Sequence, residues 1–190
     1  MEAFLASIAV VALAEIGDKT MLLAIVLAAR LRAPWQILAG IFCATIANHA
    51  LAALVGREVA GLVDSPTFRI AVALGFIAMA AWTLIPDKLD DDDGGFRHRG
   101  GPFLTTLVAF FLVEMGDKTQ VATIALGAQY HSVLIVAAGT TIGMMIANGP
   151  AVFLGEELVR RVSLRLTRIL AALLFLALGL WQLGQALHWF

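Results

Sequence analysis

The sequence contains little charge for its length. Only 14% of its 190 residues are charged, whereas 61% are hydrophobic, and the mean hydropathy is +0.90. A soluble domain is closer to half apolar and about one quarter charged. The formal net charge of −1 provides no basic surface for nucleic acid. The composition therefore predicts a membrane protein without a nucleic-acid partner.

Cysteine pairs and a basic leader are also missing. Cys43 is the single cysteine, so an internal disulfide is excluded, and no cluster of cysteine and histidine offers a zinc site. The first apolar run has no basic residues before it and reaches Glu15 without a cleavage site after it. We therefore expect this run to be the first membrane span rather than a signal peptide.

What the sequence has in abundance is long apolar runs. A helix needs about 20 mostly apolar residues to cross the hydrocarbon core of a bilayer. Six runs qualify: residues 3–29, 34–54, 68–85, 103–128, 133–154 and 169–187. They predict an all-α membrane protein whose six transmembrane helices form a single transmembrane domain over residues 1–190.

Basic residues are concentrated in alternate connections between these runs. Nine of them follow the first, third and fifth runs: Arg30, Arg32, Lys88, Arg97, Arg99, Arg160, Arg161, Arg165 and Arg168. The opposite side holds only Arg57 and Arg69. Because short cytoplasmic loops carry the excess of positive charge, we expect a multi-pass plasma (inner) membrane protein with both termini non-cytoplasmic.

The second half of the chain repeats the first. A shift of 99 positions aligns residues 14–20 (AEIGDKT) with residues 113–119 (VEMGDKT), and the same shift aligns Trp82 with Trp181. Matches that extend through three consecutive apolar runs indicate a duplication. We assign repeat one to residues 1–86, an acidic linker to 87–101 and repeat two to 102–190.

The number of spans in each repeat determines their relative orientation. Each repeat has three spans, an odd number, so the two repeats enter the membrane from opposite sides. The prediction is therefore two inverted-topology three-helix repeats, an arrangement typical of secondary transporters with a midplane binding site. The acid run of the linker is expected to be a solvated connector, with a regulatory or metal-collecting role as the alternative.

Each repeat places two acids in its first span. Glu15 and Glu114 lie about halfway along their spans, where a carboxylate costs several kcal/mol unless it faces a cavity or a partner. The i, i+3 spacing predicts that Glu15 and Asp18 share one helical face, and that Glu114 and Asp117 do the same. Two antiparallel copies would bring four carboxylates together, a set of hard donors suited to Ca²⁺ or Mn²⁺.

Lysines follow both acid pairs. An i, i+4 ion pair from Glu15 to Lys19, with Lys118 in the same role in repeat two, is the structural alternative to metal binding. Two glutamates, two aspartates and two lysines sum to −2, so one divalent cation or two protons would neutralise the set. That equivalence is what a metal/proton exchanger requires.

Small and hydroxyl residues complete the two motifs. Gly17 and Gly116 fit either close helix packing or a local helix break that exposes backbone carbonyls to an ion. Thr20 and Thr119 could cap such a break, donate a ligand oxygen or bond back to their own helices.

Amide, sulfur and imidazole groups flank the acids. Gln120 is a candidate amide ligand, and Met21 offers a sulfur at the matching position of repeat one. Asn48 and Asn148 recur at matching depth after a one-residue slip, and they are candidate ligands, orienters of a carboxylate or bonds between helices. His49 has no duplicate, and it is either a packed histidine or a proton relay.

Twin E-x-G-D-[KR]-[ST] motifs, at residues 15–20 and 114–119, resemble the signature of the calcium/manganese–proton antiporter family of Golgi, chloroplast and bacterial membranes. The resemblance covers essentially the whole chain, and the short linker is similar to that of prokaryotic manganese exporters. It implies transport of Mn²⁺ or Ca²⁺ against protons. It places metal-binding or supporting roles on the motif positions Glu15, Asp18, Lys19, Thr20, Glu114, Asp117, Lys118, Thr119 and the following Gln120.

The expected function is therefore export of divalent cations, Mn²⁺ before Ca²⁺, in exchange for protons. A passive channel could use the same carboxylates as a filter. An intramembrane hydrolase or an amino-acid exporter fits less well, because every arginine lies in a loop or at a span end and Ser7 is the only serine in the motif spans.

We expect no enzymatic activity and no cofactor. The expected partners are the cation, protons and the bilayer, and a homo-oligomer is compatible with the sequence.

Overall fold

The protein is all-helical in the part that the structure describes. A computed structural model describes residues 1–62, 65–85, 100–155, 157 and 163–187. They form helices α1 (Glu2–Glu15), α2 (Lys19–Leu31), α3 (Pro34–Leu62), α4 (Pro66–Thr83), α5 (Gly101–Glu114), α6 (Lys118–Tyr130), α7 (Val133–Leu154) and α8 (Leu164–Ala186). The predicted acidic linker lies outside the described residues, except for its last two positions.

Three of the described helices are long and apolar enough to cross a membrane: α3 over Pro34–Gly61, α7 and α8. Helices α4 and α5 are apolar but shorter. The first and fourth predicted spans are each divided into two helices, α1 with α2 and α5 with α6. Large apolar side chains are exposed on many helices, including Leu51, Leu74, Leu112, Ile146 and Leu173. Such a surface suits a lipid environment rather than water.

The backbone repeats its turns at the interval found in the sequence. Arg32, with a φ of 51°, is the C-cap residue of α2, and His131, with a φ of 52°, is the C-cap residue of α6, 99 residues later. In both turns the backbone N–H bonds the carbonyl four residues earlier, which is a common way to end a helix. The two halves therefore share local conformation as well as sequence.

The first helix of each half crosses the long helix of the other half. Helix α1 packs on α7, and α5 packs on α3. A Cβ on Gly139 would lie 2.7 Å from Ser7 Cβ, and a Cβ on Gly40 would lie 2.8 Å from Thr106 Cβ. Both crossings are therefore close, and each depends on a glycine in the long helix.

Two apolar clusters form the core. The first joins α1, α2, α3, α5 and α7, and includes Val11, Met21, Ile41, Phe110 and Met144. The second joins α1, α3, α6 and α7 to α4 and α8, and includes Val10, Phe76, Leu126, Val136 and Phe175. Helices α4 and α8 pack on each other, and this α4–α8 pair contacts α1 and α6 but has few or no described contacts with α2 and α5.

Candidate functional site

The site is built where the two motifs break their helices. Helix α1 ends at Glu15 and α2 begins at Lys19, while α5 ends at Glu114 and α6 begins at Lys118. Gly17 and Gly116 have φ values of 87° and 78°, which a continuous α-helix cannot contain. The prediction that Glu15 and Asp18 share one face of a continuous helix is therefore wrong, and so is its counterpart in repeat two. Of the two interpretations of these glycines, the helix break is the one observed.

The aspartates are the N-cap residues of the helices that follow the breaks. The backbone N–H of Asp18 bonds Glu15 O at 3.0 Å, and that of Asp117 bonds Glu114 O at 3.1 Å. Aspartate at this position usually accepts a bond from the helix N–H groups. Neither side chain makes the usual cap bond to the N–H groups further along its helix. Both carboxylates lie near a helix end that favours negative charge.

Three carboxylates form a compact buried cluster. One oxygen from each of Glu15, Glu114 and Asp117 lies within 4.8 Å of the others. The three side chains are 0%, 1% and 4% exposed. Asp18, also buried, lies close to Asp117 and so adjoins this cluster. The fold thus brings acids from the two halves together.

Glu114 is held by two side chains that bond the same oxygen. Thr119 Oγ1 donates to Glu114 Oε1 at 2.6 Å across the helix break. His49 Nε2 lies 3.2 Å from that oxygen, and its side chain is 0% exposed. An ionised carboxylate can only accept, so the imidazole donates in this contact when Glu114 is ionised. From the sequence, His49 was either a packed histidine or a proton relay. Its position next to Asn48 in α3 was the available clue that it lies near the site.

Glu15 has different neighbours. Asn148 Nδ2 donates to Glu15 Oε1 at 3.3 Å, which places one of the two predicted asparagines at the cluster. The same nitrogen lies 2.8 Å from Met144 Sδ and 3.2 Å from Met144 O. Met144 is fully buried. Sequence reasoning missed this methionine, because a methionine in an apolar helix is most often a filler of the core.

The two lysines of the motifs have different partners. Lys19 Nζ lies 3.5 Å from Asp117 Oδ1, so this ion pair joins the two halves. Lys118 Nζ donates to Ile85 O at 2.8 Å, at the end of α4, and lies 5.9 Å from the centroid of the Trp82 ring. The lysines therefore depart from the twofold pattern that their sequence positions suggest.

Four other candidate residues lie at the breaks or between the helices, and three of them have a described hydrogen bond. Gln120 Oε1 accepts from Gly116 N at 2.7 Å and so caps the second break, as Met21 Sδ does for Gly17 N at 3.4 Å. Asn48 Nδ2 donates to Phe111 O at 3.0 Å and joins α3 to α5. Thr20 is fully buried, and its hydroxyl has no hydrogen-bond partner within the described residues.

The cluster contains buried acceptors that suit a cation. Among the described residues, Glu114 Oε2, Asp117 Oδ2 and Asn148 Oδ1 have no hydrogen-bond partner. A buried polar atom without a partner costs free energy, and a concentration of carboxylate and amide oxygens is the donor set of hard divalent cations. These residues therefore fit a divalent cation.

Known proteins resemble this chain over nearly all of its length. The family described as "Divalent cation/proton antiporter GDT1" matches residues 3–91 and again residues 102–189. The two matched segments correspond closely to the two repeats that the sequence indicated.

Individual relatives come from bacteria and plants. A Vibrio cholerae protein named "Putative manganese exporter" is 49% identical over 175 residues, covering 92% of this chain and 86% of that protein. GDT1-like protein 4 of Oryza sativa subsp. indica is 28% identical and covers 94% of this chain and 72% of its own length. GDT1-like protein sll0615 of Synechocystis is 28% identical, and the match covers 92% of this chain and 93% of that protein. No solved structure gives a significant match.

Proposed function

Because the chain belongs to the GDT1 family of divalent cation/proton antiporters, we propose that it exports divalent cations, Mn²⁺ before Ca²⁺, from the cytoplasm in exchange for protons. The family is one of membrane transporters, not of enzymes. The single observation that carries the proposal is the buried cluster of Glu15, Glu114 and Asp117 at two facing helix breaks. Asp18 is the fourth acid of the proposed site.

The charges of the cluster support exchange. Four acids and two lysines give −2 when all are ionised, and one divalent cation or two protons would balance that charge. An unbalanced charge is costly in an apolar environment, so each cargo would lower the cost of moving the site between the two sides. The cation is the transported substrate, and no resident cofactor is proposed.

The architecture proposed is two inverted three-helix repeats with six spans. The close crossings of Ser7 with Gly139 and of Thr106 with Gly40 support it, because they are the same contact made once by each repeat. Helix breaks at a repeat interface are typical of transporters with a midplane site. The charge bias of the loops favours both termini outside the cytoplasm in an inner membrane, and cysteine labelling from one side of the membrane checks this orientation.

Exchange requires the site to open to each side in turn. The α4–α8 pair packs on α1 and α6. In an inverted repeat, α5 is the equivalent of α1, and α2 is the equivalent of α6. We expect a second state in which the pair packs on α2 and α5 instead. The observed asymmetry is then one of two related arrangements.

The test of this function is metal-dependent proton flux in liposomes that contain the purified protein. Mn²⁺ or Ca²⁺ on one side should drive proton movement in the opposite direction, whereas Mg²⁺ and Zn²⁺ serve as comparison ions. Cation flux without any proton movement would contradict exchange and would favour the passive channel. Empty liposomes provide the control for leakage.

A further inference from the structure

The two glutamates of the cluster have chemically different neighbours. Glu114 is bonded by an imidazole and a hydroxyl, whereas Glu15 is bonded by Asn148, whose amide also contacts a thioether. That thioether belongs to Met144, one helical turn before Asn148 in α7. The matching position in repeat one, after the one-residue slip, is Ala44, which has no donor atom. Within the described residues, the amide that bonds Glu15 therefore also contacts a thioether, whereas the side chains that bond Glu114 are an imidazole and a hydroxyl.

The Asn148 amide contacts both the thioether and the carboxylate. Its nitrogen lies 2.8 Å from Met144 Sδ and 3.3 Å from Glu15 Oε1. An amide NH₂ group carries partial positive charge, so the atoms around it are the acceptors that a cation would find there. The amide oxygen is buried and has no hydrogen-bond partner within the described part of the chain. A rotation about χ2 exchanges nitrogen and oxygen, and so turns the amide from donor to ligand.

We propose that Met144 is a specificity-determining ligand, whose thioether binds the transported cation beside Glu15 and favours Mn²⁺ over Ca²⁺. Sulfur is a soft ligand, and Ca²⁺ and Mg²⁺ bind almost only oxygen, whereas transition-metal ions also accept sulfur. Met21 Sδ accepts the backbone N–H of Gly17, and Met115 of the second motif is exposed. Met144 Sδ, by contrast, contacts the same amide nitrogen that bonds Glu15.

This inference rests on the proposed role of Glu15 as a ligand, and calorimetry of the purified full chain in detergent can test it. Binding of Mn²⁺, Ca²⁺ and Cd²⁺ is measured for the wild type, Met144→Leu and Met144→Gln. Leucine keeps the size of the side chain but removes the sulfur. Mn²⁺ affinity should fall about tenfold, and affinity for the softer Cd²⁺ should fall further, while that for Ca²⁺ stays unchanged. Glutamine replaces sulfur with oxygen and should shift the preference towards Ca²⁺.

Met145→Leu is the matched control. Met145 is the next residue of α7 and packs against the first core cluster, so its replacement should leave all three affinities at the wild-type level. An equal loss of Mn²⁺ and Ca²⁺ affinity in Met144→Leu would indicate a packing role and overturn the proposal, as would an unchanged ratio. Wild-type protein that binds none of the ions would instead overturn the proposed function itself.

Discussion

Keeping several carboxylates ionised in an apolar interior requires compensating charge. Glu15, Glu114 and Asp117 lie within 4.8 Å of one another, and the ion pair described at this cluster is the one from Lys19 to Asp117. Hydrogen bonds from His49, Thr119 and Asn148 orient the glutamates but add no fixed positive charge when the histidine is neutral. A bound cation or bound protons would lower the cost of this negative charge.

The first prediction concerns the two glutamates. Glu15→Gln and Glu114→Gln each keep the side-chain size but remove one charge and one ligand. Because both oxygens belong to one cluster, each change alone should reduce Mn²⁺-driven proton flux in liposomes to the background level. Glu58→Gln should leave the flux unchanged, because Glu58 is exposed and pairs with its neighbour Arg57. Substantial flux in either cluster variant would indicate two independent sites.

At the scale of helices, the two breaks are what place side chains from both halves at one point. At each break one short helix ends at a glutamate, and an aspartate caps the start of the next. The positive φ of the intervening glycine interrupts the helix. In a continuous helix the backbone carbonyls of this segment would instead bond within the helix.

The second prediction follows from these φ values. Gly17→Ala and Gly116→Ala should each destabilise the protein by about 1–2 kcal/mol, because a side chain is strained in the left-handed region. The loss should be larger at position 17, where a Cβ would lie 2.9 Å from Leu164 Cδ2, whereas a Cβ at 116 meets nothing within 4 Å. Thermal unfolding in detergent measures both changes.

Gly75→Ala is the control for that experiment. Gly75 lies within α4, and a Cβ there has open space around it. Alanine is favoured over glycine in a helix, so this change should leave the unfolding temperature unchanged or raise it slightly. A loss at position 75 equal to that at 17 and 116 would show that the strain at the breaks is not the cause.

At the scale of the whole molecule, the contacts of the two halves are not equal. The start of α8 lies against the first break, where Thr167 Oγ1 donates to Ile16 O at 3.3 Å and Leu164 packs beside Gly17. The second break has no equivalent cover within the described residues, and Met115 is 57% exposed. The same asymmetry appears in the α4–α8 pair, which contacts α1 and α6.

The third prediction tests whether this cover must move. In a Cys43→Ser background, Ile16→Cys with Thr167→Cys can be joined by a short, cleavable thiol cross-linker. The link would hold α8 against the first break, so Mn²⁺/proton exchange should stop and should return after cleavage. Each single-cysteine variant treated with the same reagent should remain active. Full exchange by the cross-linked protein would contradict movement of the α4–α8 pair.

Sequence alone determined the features that depend on composition and on local order. The charge deficit and the apolar runs predicted a helical membrane protein, and the coarse expectation agrees with the helices and with the family. The 99-residue shift predicted a duplication, and the family matches each half separately. The acids of the proposed site were singled out from the sequence as well, because a carboxylate in an apolar run is costly unless it faces a cavity or a partner; their role as ligands stays a prediction. The assignment of six inverted spans stays a prediction.

Tertiary structure decided which groups surround those acids. Glycine permits both a helix and a break, so the residue type at 17 and 116 did not distinguish them. His49 meets Glu114 across 65 residues, and Asn148 meets Glu15 across 133 residues. Such contacts depend on how α1 crosses α7 and how α5 crosses α3, and no local pattern in the sequence encodes that. The duplicated asparagines therefore have unequal roles: packing brings Asn148 to a carboxylate, while Asn48 bonds a backbone carbonyl.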